Sequence, residues 1–208
     1  MSAPVVEAPG LGAPDSGAPV VSAPVAGASV PLGEVPDPVF SQEMLGPGLA
    51  IRLGEASSFT VCAPISGVLA VMKPHAFIIR SVTGLSVLVH LGIDTIYQDP
   101  TQFCLLGPGS EPSWGSENGA AKTAQGNPEH DSTWEVGDQI EAGAPIVRWH
   151  PEQPKDASQA PLVLVTLLEV PPGADVERLA KTEAKLHVGT PLLRVAVSQV
   201  SQPEGPSA

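Results

Sequence analysis

The sequence has few positive charges, few cysteines and no long apolar run. Its 208 residues contain 10 Lys and Arg against 22 Asp and Glu, which gives a formal net charge of −12. This balance argues against nucleic acid and anionic membrane surfaces as partners, and favours a basic or charge-complementary protein. No apolar run is long enough to cross a bilayer, so no stable membrane insertion is expected. The two cysteines, Cys62 and Cys104, are too few for a disulfide framework, which favours a reduced, cytoplasmic location.

The two ends of the chain and one internal stretch differ in composition from the rest. Residues 1–32 lack Lys, Arg and aromatic residues and repeat Ala-Pro units, a composition that predicts a flexible arm. Without a basic start or an unbroken apolar stretch, this segment is not expected to be a signal peptide. One folded domain is expected at 33–198, since the length suits a single core. Within it, the polar stretch at about 105–133 predicts an inserted surface loop, and 199–208 a disordered tail.

Short β-type segments alternate with Gly and Pro along the predicted domain. They predict an all-β fold, a compact antiparallel β-sandwich or barrel-sandwich hybrid with little helix. The best candidate for a helix is Asp175–Lys185. The β-type segments are LAIRL, FTVCAPI, GVLAVM, AFIIRSV, LSVLVHLGI, PIVRWH, PLVLVTLLEV and TPLLRVAV.

One predicted strand carries a histidine on the face opposite to the core. Alternate residues from Leu85 to Ile93 are apolar and predict a core face, which leaves His90 on the other, more polar face. A two-residue turn at Thr83-Gly84 would pair Phe77 with His90. His75 then becomes a diagonal neighbour of His90, with the two Cα atoms roughly 7–8 Å apart. A slip of one residue would move the two side chains to opposite faces.

The residues around these histidines resemble a known family. His75-Ala76-Phe77 and Val89-His90-Leu91-Gly92-Ile93-Asp94-Thr95 resemble the HAF and VHxGIDT motifs of the glucose-type IIA component of the bacterial phosphoenolpyruvate-dependent sugar phosphotransferase system, in its glucose, glucoside and N-acetylglucosamine class. Further similarity lies in VPDPVFS, MLGPGLAI, APISG, VGDQIEAG and VGTPLLRV. The resemblance runs from about Gly33 to Val197.

The resemblance implies a cytoplasmic phosphocarrier and an order of transfer. The phosphoryl group would come from the histidine carrier HPr and pass to a cysteine of a IIB component during sugar uptake, without a cofactor. His90 would be the phosphorylated residue and His75 the partner that stabilises the phosphate, helped by backbone N–H groups around Gly92. Neutral imidazole suits this role because it is nucleophilic near pH 7. The family's partner-binding ring and its acidic rim correspond to Val39, Phe40, Met44, Leu45, Leu88, Asp37 and Asp94.

The sequence departs from the family pattern beside the second histidine. The usual TxH reads Lys73-Pro74-His75, so a hydroxyl that holds the histidine is absent, and Lys73 either places a cation near the phosphate or points to solvent. Leu88 replaces a common aromatic residue. Without the resemblance, Val39 and Phe40 fit an ordinary strand core, and Asp94 fits a turn cap.

Three other interpretations stay open from the sequence. One is a regulatory IIA homologue that binds proteins according to its phosphorylation state. Another is a biotinyl- or lipoyl-like carrier domain, suggested by APISG, Met72-Lys73 and the VGD segment, although the lysine precedes that segment and is followed by proline. The third is zinc held by His75 and His90 with a further ligand from a partner. His130, His150 and His187 are expected to be surface residues.

Overall fold

The structure is a computed structural model that describes residues 18–93, 99–110, 133–152, 160–170 and 173–197. This part of the chain is almost entirely β, with one short helix, α1 (Pro38–Ser41), and 3₁₀ turns at Leu32–Glu34 and Pro100–Gln102. The predicted all-β class with little helix is confirmed. The strands are β1 (Val20–Ser22), β2 (Gly27–Pro31), β3 (Gly48–Arg52), β4 (Phe59–Cys62), β5 (Gly67–Lys73), β6 (Ala76–Arg80), β7 (Ser86–Leu91), β8 (Phe103–Leu105), β9 (Gln139–Ile140), β10 (Pro145–Trp149), β11 (Leu162–Leu168), β12 (Ala174–Arg178), β13 (Lys185–Leu186) and β14 (Pro191–Val197).

The described strands form three antiparallel sheets around one main core. An eight-stranded sheet follows the order β13-β2-β3-β11-β7-β6-β5-β9 and curls into a half barrel. Two smaller sheets follow the orders β1-β14-β12 and β4-β10-β8. The main core takes buried side chains from all three sheets, among them Ile51, Val87, Ile146 and Leu193. The inner face of the large sheet is therefore covered by the two smaller ones.

A second, smaller hydrophobic cluster lies on the outer face of the large sheet. It is formed by the buried side chains of Val30, Leu32, Val35, Phe40, Ala50 and Leu164, with Leu88, Ile93 and Leu162 packed against them. Helix α1 brings Phe40 to this cluster. Its N-cap is Asp37, whose carboxylate accepts the Val39 N–H at 2.7 Å, and proline at the first helical position fits the start of a helix.

Strand β7 has the alternation that the sequence predicts. Val87, Val89 and Leu91 are fully buried on the inner face, while Leu88 and His90 lie half-buried on the outer face. The predicted pairing with β6 is wrong by one residue, because Ala76, rather than Phe77, lies opposite His90.

The length of the β6–β7 turn explains this register. The Ser81 N–H donates to the Leu85 carbonyl at 2.8 Å, so the loop contains three residues, Val82 to Gly84, rather than two. The last of them, Gly84, has φ +84°, as expected for a three-residue hairpin loop that ends in a left-handed residue. Thr83-Gly84 correctly predicted a turn. The loop is one residue longer than predicted because the last hydrogen-bonded residue before it is Ser81 rather than Val82.

The prediction of a flexible arm through residue 32 is wrong for residues 20–32. Strand β1 pairs with β14, and β2 lies between β13 and β3. Val21 and Leu32 are fully buried, and the carbonyl of Pro24 accepts the Cys62 N–H at 2.8 Å. Proline removes an N–H donor but keeps its carbonyl, so a proline-rich segment can pair where its apolar residues find a core. Residues 1–17 lie outside the described residues.

The helix predicted at Asp175–Lys185 is also wrong. Its first part belongs to strand β12, which pairs with β14, and its last residue begins β13. Ala174 and Val176 pack against the main core, while Asp175 and Glu177 are exposed. Alternating burial against β14 therefore outweighs the helix propensity of this segment.

The described residues include both ends of the predicted insertion at about 105–133. Leu105 ends β8, Leu106 is buried, and the Trp134 N–H donates to the Leu106 carbonyl at 3.1 Å, so the two ends lie together. Residues 111–132 and the predicted tail at 199–208 lie outside the described residues.

Both cysteines are free, as predicted: Cys62 is buried and Cys104 exposed. No helix among the described residues is long and apolar enough to span a membrane.

Replacement of Gly84 by alanine should destabilise the fold through the backbone alone. A Cβ atom at this position would meet nothing within 4 Å, so no steric clash is expected. The unfolding free energy should fall by about 1 kcal/mol because alanine disfavours the left-handed φ. Urea denaturation of Gly84→Ala measures it. Gly54→Ala is the matched control, because its Cβ also meets nothing within 4 Å and its φ lies outside the left-handed range. Equal stability of the two variants would contradict this account of the turn.

Candidate functional site

Two histidine side chains meet on the outer face of the large sheet. Their ring centroids are 5.3 Å apart and the ring planes are tilted by 60°. His90 belongs to β7, and His75 lies with Pro74 in the turn between β5 and β6. The predicted proximity is confirmed although the register on which it rested is wrong. A turn residue is free of strand alternation, and the His75 carbonyl accepts the Leu91 N–H at 2.8 Å, which holds the turn against the end of β7.

A backbone carbonyl fixes the orientation and tautomer of His90. Its Nδ1 lies 2.8 Å from the carbonyl oxygen of Gly92. Because a carbonyl only accepts hydrogen bonds, the proton of the neutral ring lies on Nδ1. The lone pair is then on Nε2, which is the nitrogen available as a nucleophile.

Gly92 makes this arrangement possible through its backbone conformation. Its φ of +77° bends the chain directly after β7, so that its carbonyl returns towards the His90 ring. Its N–H donates to the Leu162 carbonyl at 2.7 Å. The Gly92 N–H is therefore already engaged within the fold, and a contribution of other backbone N–H groups around Gly92 to phosphate binding stays a prediction. The family motif drew attention to Gly92, but the contribution of its carbonyl requires the three-dimensional path of the chain.

The surroundings keep both imidazoles neutral near pH 7. Burial is the main reason that the pKa of His90 lies below its ordinary value of 6.5, and His75 lowers it further. The Gly92 carbonyl and the carboxylate of Asp37 act in the opposite direction without cancelling the effect of burial. The pKa of His75 is also lowered, first by burial and then by the charge of Lys73. The site thus places the Nε2 lone pair of His90 beside a second neutral imidazole, which has one N–H to donate.

An apolar surface adjoins the histidine pair. The Phe40 ring centroid lies 5.6 Å from that of His90, and Phe40 itself is buried in the second cluster. Val39, Met44 and Leu45 are exposed by 40%, 68% and 41%, on α1 and the turn after it. Phe40 and Val39 therefore belong to a helix rather than to a strand core.

The remaining predicted residues have different outcomes. Asp37 lies close enough to His90 to influence its pKa and also caps α1, whereas Asp94 lies outside the described residues. His150 and His187 are exposed, as predicted, and His130 lies outside the described residues. The described residues hold no group of three or more His, Cys, Asp or Glu side chains that could bind a metal. Zinc shared with a partner stays a prediction.

Comparisons with known proteins agree with this geometry. Residues 20–107 match the family model described as phosphoenolpyruvate-dependent sugar phosphotransferase system, EIIA 1. The match begins where β1 begins. The PTS system glucose-specific EIIBCA component of Corynebacterium glutamicum is 46% identical over 68 residues, which cover 32% of this chain and only 10% of that relative. The glucose permease IIA from Mycoplasma capricolum has a similar structure, with a TM-score of 0.57 and 25% identity, over 84% of this chain and 94% of that one.

The pKa of His90 should respond in opposite directions to its two ionisable neighbours. In the wild type we expect the pKa of His90 to lie below its ordinary value of 6.5. His75→Gln removes a source of positive charge and should raise the pKa of His90. Asp37→Asn removes a negative charge, keeps an acceptor for the Val39 N–H, and should lower it further. Titration of the ring ¹⁵N signals by NMR measures these shifts, and a shift of the same sign in both variants would contradict the account.

Proposed function

We infer that this chain, a glucose-type IIA component of the phosphoenolpyruvate-dependent sugar phosphotransferase system, carries a phosphoryl group on His90 during sugar uptake. The observation that carries this proposal is the pair of neighbouring histidines, in which the Gly92 carbonyl holds the His90 proton on Nδ1 and leaves the nucleophilic lone pair on Nε2. The apolar surface beside it suits contact with protein partners. The sugar itself would be chosen by the membrane component.

The proposed reaction is an exchange of one P–N bond for another. The Nε2 lone pair of His90 attacks phosphorus in the phosphohistidine of HPr, and the bond to the HPr imidazole breaks as the new bond forms. The departing imidazole retains the electron pair of the broken bond. Since the two bonds are chemically alike, catalysis consists mainly of positioning and charge stabilisation. The Nδ1–H of His90 donates to Gly92 before and after transfer, so the ring need not turn.

His75 would stabilise the phosphorylated state. The new group adds about −1.5 to −2 of charge if it titrates as other phosphorylated residues do. A ring-centroid separation of 5.3 Å from His90 leaves room for a phosphoryl oxygen to accept an N–H from His75. In the second half of the cycle, a thiolate of a IIB component would attack phosphorus and His90 would leave as a neutral imidazole.

The partners would bind over the same apolar surface. Val39, Met44 and Leu45 provide its exposed part, with Leu88 half-buried on the sheet beside His90. Asp37, together with Asp94, would meet a basic side chain of HPr, in keeping with the net charge of −12. We propose a cytoplasmic location for these encounters, which the free cysteines fit. A regulatory homologue would use the same surface, and transfer onward to a IIB cysteine distinguishes the two.

Substitution of the two histidines should separate acceptance from onward transfer. His90→Ala should abolish phosphorylation because it removes the nucleophile. His75→Gln should still accept the group but pass it on poorly, because glutamine keeps an N–H donor without the proton chemistry of imidazole. Intact mass after incubation with phosphoenolpyruvate, enzyme I and HPr, before and after acid treatment, measures acceptance, and addition of a IIB domain measures transfer. A phosphorylated His90→Ala, or normal transfer by His75→Gln, would refute these roles.

A charge placed in the apolar surface should weaken the encounter with HPr. Met44→Asp should lower the phosphorylation rate at low HPr concentration roughly tenfold, the equivalent of about 1.4 kcal/mol, with little change at saturating HPr. Val82→Asp is the control, since Val82 is 96% exposed in the turn at the opposite end of β7 from His90. The rate against HPr concentration is the measurement. If both variants slowed the reaction equally, the docking surface would lie elsewhere.

A further inference from the structure

Lys73 stands in one row with His90 across the large sheet. Lys73 of β5 is paired with Ala76 of β6, and Ala76 is paired with His90 of β7. Residues directly opposite each other on antiparallel strands point to the same face, so Lys73 shares the outer face with His90. Two strand spacings separate their Cα atoms by roughly 10 Å. Ala76, the residue paired with both of them, has only a methyl side chain, which the four-carbon stem of lysine can pass.

A β-bulge produces this orientation. The β5–β6 register shifts between Leu69 and Val71, which places one extra residue in β5. Before the bulge Leu69 points into the core, and after it Met72 packs against the core while Lys73 points outward. Without the extra residue, Lys73 would share the inner face with Leu69. Bulges near functional sites commonly redirect a side chain in this way.

The ammonium group of Lys73 has no competing partner in the part of the chain that the structure describes. Lys73 is exposed and forms no ion pair there, whereas several arginines pair with glutamates. Its charge nevertheless reaches the site, since it lowers the pKa of His75, whose ring lies 5.3 Å from that of His90. A phosphoryl group on Nε2 would therefore meet an uncommitted cation.

We propose that Lys73 is a phosphate-binding residue, whose ammonium group contacts the phosphoryl group on His90 and stabilises the phosphorylated state. It stands where the related family has a hydroxyl, and it replaces a hydrogen bond to histidine by a direct charge-assisted contact with the phosphoryl oxygens. The contact offsets part of the repulsion between the phosphoryl group, whose charge is about −1.5 to −2, and a chain whose net charge is −12. The inference rests on the proposed phosphorylation of His90.

The position of the phosphotransfer equilibrium tests the role of Lys73. Full-length protein is mixed with a defined pool of phosphorylated HPr after removal of phosphoenolpyruvate, and intact mass gives the phosphorylated fraction. Because Lys73 is exposed, Lys73→Gln should reduce the equilibrium constant about three- to tenfold, and less at high salt. Lys73→Arg should retain most of the wild-type value. Lys185→Gln, on β13, makes the same change in net charge at another exposed lysine without an ion pair in the described part of the chain, and should have no effect.

The ³¹P NMR titration of the phosphohistidine distinguishes contact from a structural role. Loss of a nearby cation should raise the pKa of the phosphoryl group in Lys73→Gln by about half a unit, whereas a small change of fold would not. Equal titrations and equal equilibrium constants for wild type and Lys73→Gln would overturn the inference and leave the phosphocarrier function intact. An effect of the same size in Lys185→Gln would also overturn it. Failure of the wild type to be phosphorylated, beside a functional IIA control, would refute both proposals.

Discussion

The site depends on the alternation of β7, a strand paired on both sides within the large sheet. Its inner residues, Val87, Val89 and Leu91, are fully buried. A slip of one residue would turn all three outward, at a cost of about 1.5–3 kcal/mol each. That sum is comparable with the whole stability of a typical domain, about 5–15 kcal/mol. The outward position of His90 is therefore fixed by the core rather than by any contact of the histidine itself.

Predictions from the sequence were correct where a structural feature depends on neighbouring residues in the chain, and wrong where it depends on residues distant in sequence. Alternation is local, and from Leu85 to Leu91 it correctly identified the core face and the histidine face. Ile93, predicted on the core face, packs instead against the second cluster, because the chain bends at Gly92 after β7 ends. The segments 20–32 and 175–185 were misjudged because their structure depends on partner strands distant in sequence, which override proline content and helix propensity. The hairpin register failed for a smaller reason, a three-residue loop in place of two. His75 still reached His90 because it lies in a turn, where an error in strand register has little consequence.

The acid–base state of the site results from opposing effects of different size. Asp37 and the Gly92 carbonyl favour the protonated form of His90, but burial is larger and lowers its pKa. An imidazole protonated at pH 7 would have no lone pair on Nε2, so the burial of the ring supports its nucleophilicity. The ring is half-buried rather than fully enclosed, which leaves it open to a macromolecular donor. Partial burial therefore meets two requirements. Full exposure would not lower the pKa of His90, and full burial would keep the donor away from Nε2.

A carrier with one acceptor atom must let donor and recipient reach the same place in turn. In the proposed function both partners cover Nε2 of His90, so neither complex can be long-lived without stopping the cycle. The proposal therefore requires transient contacts, which are made through smaller interfaces than permanent ones, and the exposed side chains of Val39, Met44 and Leu45 would provide the apolar part of such an interface. Phe40, buried beneath it, anchors α1 to the second cluster and orders the surface before a partner arrives. Such preorganisation reduces the entropy lost on binding, so a small area suffices for recognition without prolonging the complex.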